Sequence, residues 1–270
     1  MKRHIFQYSI SEVAPYIDWS YLLHAWGLVG KESAIHASAE TIADAKAILD
    51  TLGDRHTTSA IFALCEAKGN DDDIIAEGVT IPCLRQQHSI GDKPNLCLSD
   101  FVSPYGDKIG FFATTVGNDF GAEYKDDPYQ YLLTQTLADR LAEATAALLH
   151  KQVRTDKELW GYVQDENLSI AELLQEKNQG IRPAVGYPSL PDQSIIFTFD
   201  RLLHVDEIGI TLTPNGAMTP HASVCGMMIA HPQARYFAVG KISGEQLADY
   251  AQRRGTEAVE LQKFLSKSIE

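Results

Sequence analysis

The sequence lacks the features that mark several large classes of protein. None of its apolar runs reaches the roughly 20 residues that a membrane-spanning helix needs, and no signal-peptide run follows Met1. Basic residues are few, with 23 Lys and Arg against 36 Asp and Glu, so the formal net charge is −13. Because nucleic-acid binding depends on clustered Lys and Arg, we expect no nucleic-acid partner. We also expect no membrane partner and a cytoplasmic location.

Cysteine is scarce and scattered. The four cysteines are Cys65, Cys83, Cys97 and Cys225, and no two of them form a Cys-x-x-Cys pair. Structural zinc sites need such closely spaced ligands, and the nine histidines are equally dispersed, without a His-Glu-x-x-His pattern. We therefore predict no metal site and free thiols buried in strands.

Common catalytic and nucleotide-binding motifs are also missing. The sequence has no Gly-x-Gly-x-x-Gly, and Gly30-Lys31 is followed by Glu32 where a phosphate loop has Ser or Thr. Ser223 is not surrounded by a nucleophile elbow. We nominate no residue for proton transfer or nucleophilic catalysis.

The order of predicted elements favours an α+β fold. Helices are predicted from Asp18 to Gly30, over 39–52, from Asp127 over an apolar stripe to 148, from Ser169 to near Gly180, from Ser243 to Gly255, and from Thr256. Strands are predicted over 58–67, 73–76, 79–85, 96–102, 109–116, 194–199, 208–213, 223–230 and 236–242. Because the strands cluster without regular βαβ alternation, we predict a single domain over 1–270, with a mainly antiparallel twisted sheet and flanking helices.

The most informative segment is Gly-Ile-Arg-Pro-Ala-Val-Gly-Tyr-Pro at 180–188. Two prolines stiffen this loop and Gly186 permits positive φ, while Arg182 stands near its start. A guanidinium can bind a ligand carboxylate through two parallel hydrogen bonds. The alternative is a rigid connector whose arginine pairs with a neighbouring Asp or Glu.

Several further segments are distinctive when taken together. They are YIDWSYLLHAWGLVGK at 16–31, LRQQ at 84–87, CLSDFVSP at 97–104, DDPYQYLLTQTLADRLAEATAALLHKQVR at 126–154, WGY at 160–162, GIRPAVGYPSLPD at 180–192, HPQARYFAVGKI at 231–242 and DYAQRRG at 249–255. In this order they resemble the activation domain of cobalamin-dependent methionine synthase, along nearly the whole chain.

The resemblance implies a binding site for S-adenosylmethionine. The residues that match the family's site are Asp18, Glu143, Arg182, Ala184 and Tyr187, with Glu176, Tyr236 and Phe237 at or beside it. Phe237 departs from the Tyr-Tyr pair of some members and loses a hydroxyl. From the sequence alone, Asp18 is equally well explained as a helix N-cap. Glu143 lies away from the leucine stripe of its helix, so periodicity predicts a solvated side chain there.

The resemblance also implies a role in repair. In the family, a flavodoxin-like donor supplies one electron to oxidised cobalamin, which then takes the methyl group of S-adenosylmethionine. We expect a reactivation subunit that acts on a partner methionine synthase chain carrying cobalamin. The alternative is a non-catalytic S-adenosylmethionine-binding cap or regulatory module for a separate corrinoid protein. A fragment of a longer chain fits less well, because Met1 opens a plausible native N terminus.

Overall fold

The computed structural model describes residues 1–29, 35–88, 91, 94–265 and 268–270. The described strands are β1 (Lys2–Ser9), β2 (Thr57–Asn70), β3 (Asp73–Ala76), β4 (Val79–Pro82), β5 (Asp107–Val116), β6 (Thr211–Leu212), β7 (Met218–Thr219) and β8 (Ser223–Met228). The described α-helices are α1 (Ile10–Val13), α2 (Trp19–Ala25), α3 (Ile35–Leu52), α4 (Pro128–Thr155), α5 (Ile170–Leu174), α6 (Ile196–Leu203), α7 (Gly244–Arg254) and α8 (Ala258–Leu265).

A six-stranded antiparallel sheet organises the chain, with the order β4-β3-β2-β5-β8 and β1 also paired to β2. The long strand β2 pairs with β5 along one edge and, along the other, first with β1 and then with β3. β8 is the last regular strand beside β5. The sheet confirms the predicted α+β class with a mainly antiparallel sheet.

The strands alternate their side chains between two apolar cores, as the pleat of a β-strand requires. Phe62 and Phe112 face the core beneath α1 to α4, whereas the adjacent Ile61 and Phe111 face the core beneath α6. A third, smaller cluster joins α7 and α8 to Leu84. Helices therefore cover both faces of the sheet, and α4 crosses directly over β5 and β8.

Most predicted helix starts are correct because their caps are local. Asp127 caps α4 through hydrogen bonds from the backbone N–H groups of Tyr129 and Gln130, and Ser169 forms the predicted capping box with Glu172. The helix after Ser169 ends at Leu174 and not near Gly180. α2 ends at Ala25, so the predicted stop at Gly30 is wrong in extent, and Gly30-Lys31 and Glu32 lie outside the described residues.

Three predicted strands are wrong. Residues 96–102 contain a 3-10 turn at Leu98–Phe101, 194–199 run into the helix α6, and 236–242 form an extended segment without a sheet ladder. Strand β1 is absent from the sequence-based prediction. All four cysteines are free and buried, although only Cys65 and Cys225 lie in strands.

Within the ranges that the structure describes, no helix combines the length and apolar character needed to span a membrane.

Candidate functional site

The loop at 180–188 forms an irregular extra strand beside β8. Ile181 and Ile229 exchange backbone hydrogen bonds of 3.0 and 2.9 Å. Further along, the Val185 N–H donates to the Cys225 carbonyl at 2.9 Å. Arg182 and Ala184 are therefore held at the edge of the sheet by backbone pairing.

Gly226 makes this close pairing possible. A Cβ atom at Gly226 would lie 2.4 Å from the Pro183 carbonyl oxygen and 2.9 Å from Ala184 Cα. Real Cβ atoms do not approach backbone so closely, so the loop can lie against β8 only where residue 226 has no side chain.

Arg182 is held by a hydrogen bond to its backbone, while its guanidinium forms no ion pair with the described residues. The Arg182 N–H donates to the hydroxyl of Tyr236 at 2.9 Å. Among the residues that the structure describes, no carboxylate forms an ion pair with the Arg182 guanidinium. The alternative of a connector whose arginine pairs with a neighbouring acid is therefore not what the structure shows.

The pKa of the Tyr236 phenol depends on the charged residues around it. Burial raises the pKa of its phenol, Arg182 opposes the rise, and Glu176 and Glu143 add to it. Tyr236 as a whole residue is 37% exposed although its hydroxyl end is desolvated, so part of it faces solvent. Tyr236 therefore stands among Arg182, Glu176 and Glu143.

Glu143 and Tyr187 meet across the site. The Tyr187 hydroxyl donates a hydrogen bond to Glu143 Oε1. Burial, followed by the charge of Glu143, raises the pKa of Tyr187. Tyr187 is nevertheless 48% exposed, so its hydroxyl end is covered while the rest of the ring remains open to a ligand. Glu143 is half-buried, in contrast to the solvated side chain that helix periodicity predicts.

Asp18 is the N-cap of α2, as one of its two interpretations predicts. Its Oδ1 accepts hydrogen bonds from the Ser20 N–H at 2.9 Å and the Ser20 hydroxyl at 2.6 Å. The cap leaves Oδ2 to other donors. Within the described residues, no hydrogen bond or ion pair joins Asp18 to the other predicted site residues.

The remaining predicted site residues differ in burial and in backbone conformation. Ala184 is buried and forms an isolated bridge with Gly226. Glu176 is exposed and adopts a left-handed conformation with φ 56° just beyond α5. The Phe237 ring packs against the apolar cores beneath α6 and around α7, and its N–H donates to Ser189 Oγ at 3.1 Å.

Two residues near this group were not predicted from the sequence. The Arg140 guanidinium lies over the Tyr21 ring, 5.8 Å from its centroid, and both residues influence the pKa of Tyr187. The N-terminal half of α2 is thereby placed beside the middle of α4. The sequence signal was available, because Arg140 and Glu143 share one face of the helix at i, i+3 spacing.

The arrangement suits a small zwitterionic ligand with an aromatic part. It offers a guanidinium for a carboxylate, carboxylates for a cation, and exposed tyrosine rings for stacking or cation–π contact. Among the described residues, no group of three or more His, Cys, Asp or Glu side chains could hold a metal ion. A cavity of about 540 Å³ lies elsewhere, between α2, α3 and α4, and is lined by residues such as Trp26 and Tyr129.

Comparisons with known proteins show which family the chain is similar to. The family described as vitamin B12 dependent methionine synthase, activation domain, matches residues 9–255. Among solved structures, the chain is similar to a crystal structure of the MetH reactivation domain bound to AdoHcy, at 35% sequence identity and a TM-score of 0.90. That match covers 100% of this chain and 90% of the solved chain.

Proposed function

Because the chain belongs to the family of vitamin B12 dependent methionine synthase activation domains, we propose that it binds S-adenosylmethionine and supports reductive methylation of cobalamin. AdoHcy, the ligand of the similar solved structure, is S-adenosylmethionine without the transferable methyl group. The proposal therefore extends to this chain a ligand class that a 35% identical structure contains. The cobalamin is carried by a partner methionine synthase chain in the cytoplasm, and a flavodoxin-like protein supplies the electron.

The observation that carries the proposal is the separation of opposite charges around the loop. Arg182 has a guanidinium without an ion-pair partner among the described residues, and the Glu143 carboxylate accepts a hydrogen bond from Tyr187. We assign Arg182 to the ligand carboxylate and Glu143 to its ammonium group. Asp18 and Glu176 are the further carboxylates that we assign to the site.

The remaining residues shape the site. The backbone at Ala184 and the rings of Tyr187 and Tyr236 form the surface on which the adenosyl group lies. Phe237 contributes from behind, because its ring packs into the apolar core. S-adenosylmethionine, when bound, supplies an electrophilic methyl group on a sulfonium. The chain's own contribution is to bind and orient this ligand, and we assign proton transfer to no residue.

Calorimetric titration of S-adenosylmethionine into the purified chain tests the binding site. We expect saturable binding by the wild type and a loss of at least about tenfold in affinity for Arg182→Ala, because a charge-assisted bidentate contact is removed. Arg201→Ala is the matched control, since Arg201 is an exposed arginine on α6, which packs on the other face of the sheet. Absence of wild-type binding, even with a cobalamin-bearing partner present, would overturn the proposal.

The alternative function is a non-catalytic S-adenosylmethionine-binding cap or regulatory module for a separate corrinoid protein. An assay of methyl transfer from labelled S-adenosylmethionine to partner-bound cobalamin, with a chemical reductant, distinguishes the two. Labelled methylcobalamin that requires this chain supports reactivation. Binding without transfer favours the regulatory module.

A further inference from the structure

A buried polar network lies directly behind the Arg182 loop. The chain leaving α4 folds back onto the end of that helix: the Gly161 N–H donates to the Val153 carbonyl at 3.0 Å, and the Val163 N–H donates to the Arg154 carbonyl at 2.9 Å. The Arg154 guanidinium also forms a bidentate ion pair with Glu166, with both side chains almost fully buried. Tyr162 is therefore fixed in place by its neighbours on both sides.

His150 holds the hydroxyl of Tyr162 from within α4. His150 Nε2 and Tyr162 Oη lie 2.9 Å apart, and the histidine is completely buried. Burial, with Arg154 and Arg182 as further causes, lowers the pKa of His150, so the ring is neutral near pH 7. The hydrogen bond therefore joins two neutral groups whose positions are both set by α4.

A histidine at position 150 disfavours folding. Within the part of the chain that the structure describes, its Nδ1 atom is buried without a hydrogen-bond partner. An unsatisfied buried nitrogen disfavours folding, and an apolar residue of similar volume would avoid that cost. The hydrogen bond between His150 Nε2 and the Tyr162 hydroxyl is thus the interaction that a histidine makes at this position and a leucine could not.

The Tyr162 hydroxyl in turn abuts the start of the Arg182 loop. It lies 3.5 Å from the Gln179 carbonyl oxygen, and a Cβ atom at Gly180 would be only 2.7 Å from Tyr162 Oη. Gly180 has φ +80°, and the next residue, Ile181, begins the pairing with β8. The hydroxyl therefore fills the space against the backbone two residues before Arg182.

We infer that His150 and Tyr162 are positioning residues that set the backbone from which Arg182 reaches its ligand. This inference rests on the proposed function. Neither side chain belongs to the surface that binds S-adenosylmethionine in that proposal. They act through Arg182, whose own N–H donates to the hydroxyl of Tyr236. The backbone of the loop is thus fixed by Tyr236 at Arg182 itself and contacted by Tyr162 two residues earlier, at Gly180.

The Tyr162→Phe variant tests the role, because it removes only the hydroxyl. We expect its dissociation constant for S-adenosylmethionine to rise on the order of tenfold, the scale seen for supporting residues around bound metals. Tyr8→Phe is the matched control, since the Tyr8 hydroxyl also donates to α4, to Gln152 at 2.6 Å, on the β1 side of the helix. We expect Tyr8→Phe to lower the melting temperature comparably and to bind like the wild type.

Two histidine variants separate positioning from packing. His150→Leu fills the buried volume without a partner for Tyr162, and we expect weaker binding, as for Tyr162→Phe. His150→Gln retains a polar group that can reach the hydroxyl, and we expect it to recover most of the affinity. In an Arg182→Lys background, Tyr162→Phe should cost less than in the wild type, because both changes act on one contact.

The outcomes distinguish this inference from the proposed function. If the wild type binds and Tyr162→Phe binds equally well, the positioning role is overturned while the binding function stands. If Tyr162→Phe and Tyr8→Phe lose affinity equally, the effect is general destabilisation, and the positioning role is likewise overturned. If the wild type does not bind, the proposed function fails and the positioning role fails with it.

Discussion

At the scale of single residues, the candidate site contains two tyrosine hydroxyls that hydrogen-bond to residues of opposite charge, one through the backbone and one through the side chain. Tyr236 accepts a hydrogen bond from the backbone of Arg182, and Tyr187 donates one to the carboxylate of Glu143. Each tyrosine leaves part of its ring exposed. The same side chains can therefore orient a charged residue and present an aromatic surface to a ligand.

The role of Glu143 can be tested by comparing two ligands. In the proposed function its carboxylate binds the ligand ammonium group, which S-adenosylmethionine and AdoHcy share. We expect Glu143→Gln to weaken both ligands by a similar factor, about tenfold, because a charge-assisted hydrogen bond becomes a neutral one. Parallel calorimetric titrations provide the measurement.

Glu66→Gln serves as the control, because Glu66 is an exposed carboxylate on β2 that forms an ion pair with Lys108 at 3.6 Å. A loss confined to S-adenosylmethionine would instead show that Glu143 faces the sulfonium, the only charge that AdoHcy lacks. Unchanged affinity for both ligands would remove Glu143 from the site.

The burial of Glu143 could not be derived from helix periodicity. That pattern describes how a helix meets the core, and the core of α4 is formed by Leu133, Leu137 and Leu141, as the sequence predicts. Glu143 is covered from another direction, by Tyr187 on a loop 44 residues further along the chain. Only the family resemblance selected it.

At the scale of elements, the site requires that the Arg182 loop lie flat against β8. Gly226→Ala should disrupt this contact, because the new Cβ atom would lie 2.4 Å from the Pro183 carbonyl oxygen. Backbone cannot yield as a flexible side chain can, so we expect a loss of roughly 1–3 kcal/mol in the free energy of unfolding. We also expect weaker S-adenosylmethionine binding as the loop moves away from the strand.

Urea denaturation together with ligand titration measures both effects. Gly244→Ala is the control, since among the described residues a Cβ built at Gly244, in the first turn of α7, meets nothing within 4 Å beyond its chain neighbours and the nearby backbone of its own helix. That variant should be neutral or slightly more stable, because alanine favours helix. Wild-type stability and affinity in Gly226→Ala would mean that the loop is not held by this close approach.

Elements whose signals are local were predicted well, and those shaped by distant contacts were not. Capping residues located the starts of α4, α5 and α7. In contrast, the β-branched and aromatic run at 194–199 is helical, because Asp192 caps a turn there and Ile196, Phe199 and Leu203 share one buried face. The strand-like composition of the run hid a helical period that becomes visible only when the window extends to 203.

The segment at 236–242 was wrongly predicted as a strand for a different reason. Its backbone bonds go to irregular segments and not to a sheet. The Phe237 N–H donates to Ser189 Oγ at 3.1 Å and the Val239 N–H donates to the Pro188 carbonyl at 2.9 Å, at the end of the Arg182 loop, while the Ile242 N–H donates to the Ser268 carbonyl at 2.8 Å. The residues are extended, as their composition favours, but they pair with irregular segments. Sequence composition could indicate the conformation but not the partner.

At the scale of the whole molecule, the arrangement of strands in clusters was enough to predict the α+β class, whereas the pairing order was not. β2 contacts β1, β3 and β5, which come from three parts of the chain. Such long-range pairing brings α4, the Arg182 loop and the Tyr236 segment together at the β8 edge. The site is therefore a property of the folded chain and cannot be located from any single segment.

The pH dependence of the free energy of unfolding should report on His150, the buried histidine behind that edge of the sheet. Burial holds the pKa of His150 well below 6.5, and the nearby charges of Arg154 and Arg182 lower it further. In the unfolded chain the same group titrates near its ordinary value of about 6.5. Below that pH the unfolded state binds a proton that the folded state does not, so stability must fall as the pH falls.

We expect the free energy of unfolding to change little through this group above about pH 7, and to decrease below about pH 6.5 by at most about 1.4 kcal/mol per pH unit. Urea denaturation between pH 7.5 and 5.5 measures the slope, in a range above the titration of ordinary carboxylates. His150→Gln, which cannot titrate there, should show a shallower slope than the wild type. Equal slopes would mean that His150 is protonated in the folded state as readily as in the unfolded one, which its complete burial beside two arginines should forbid.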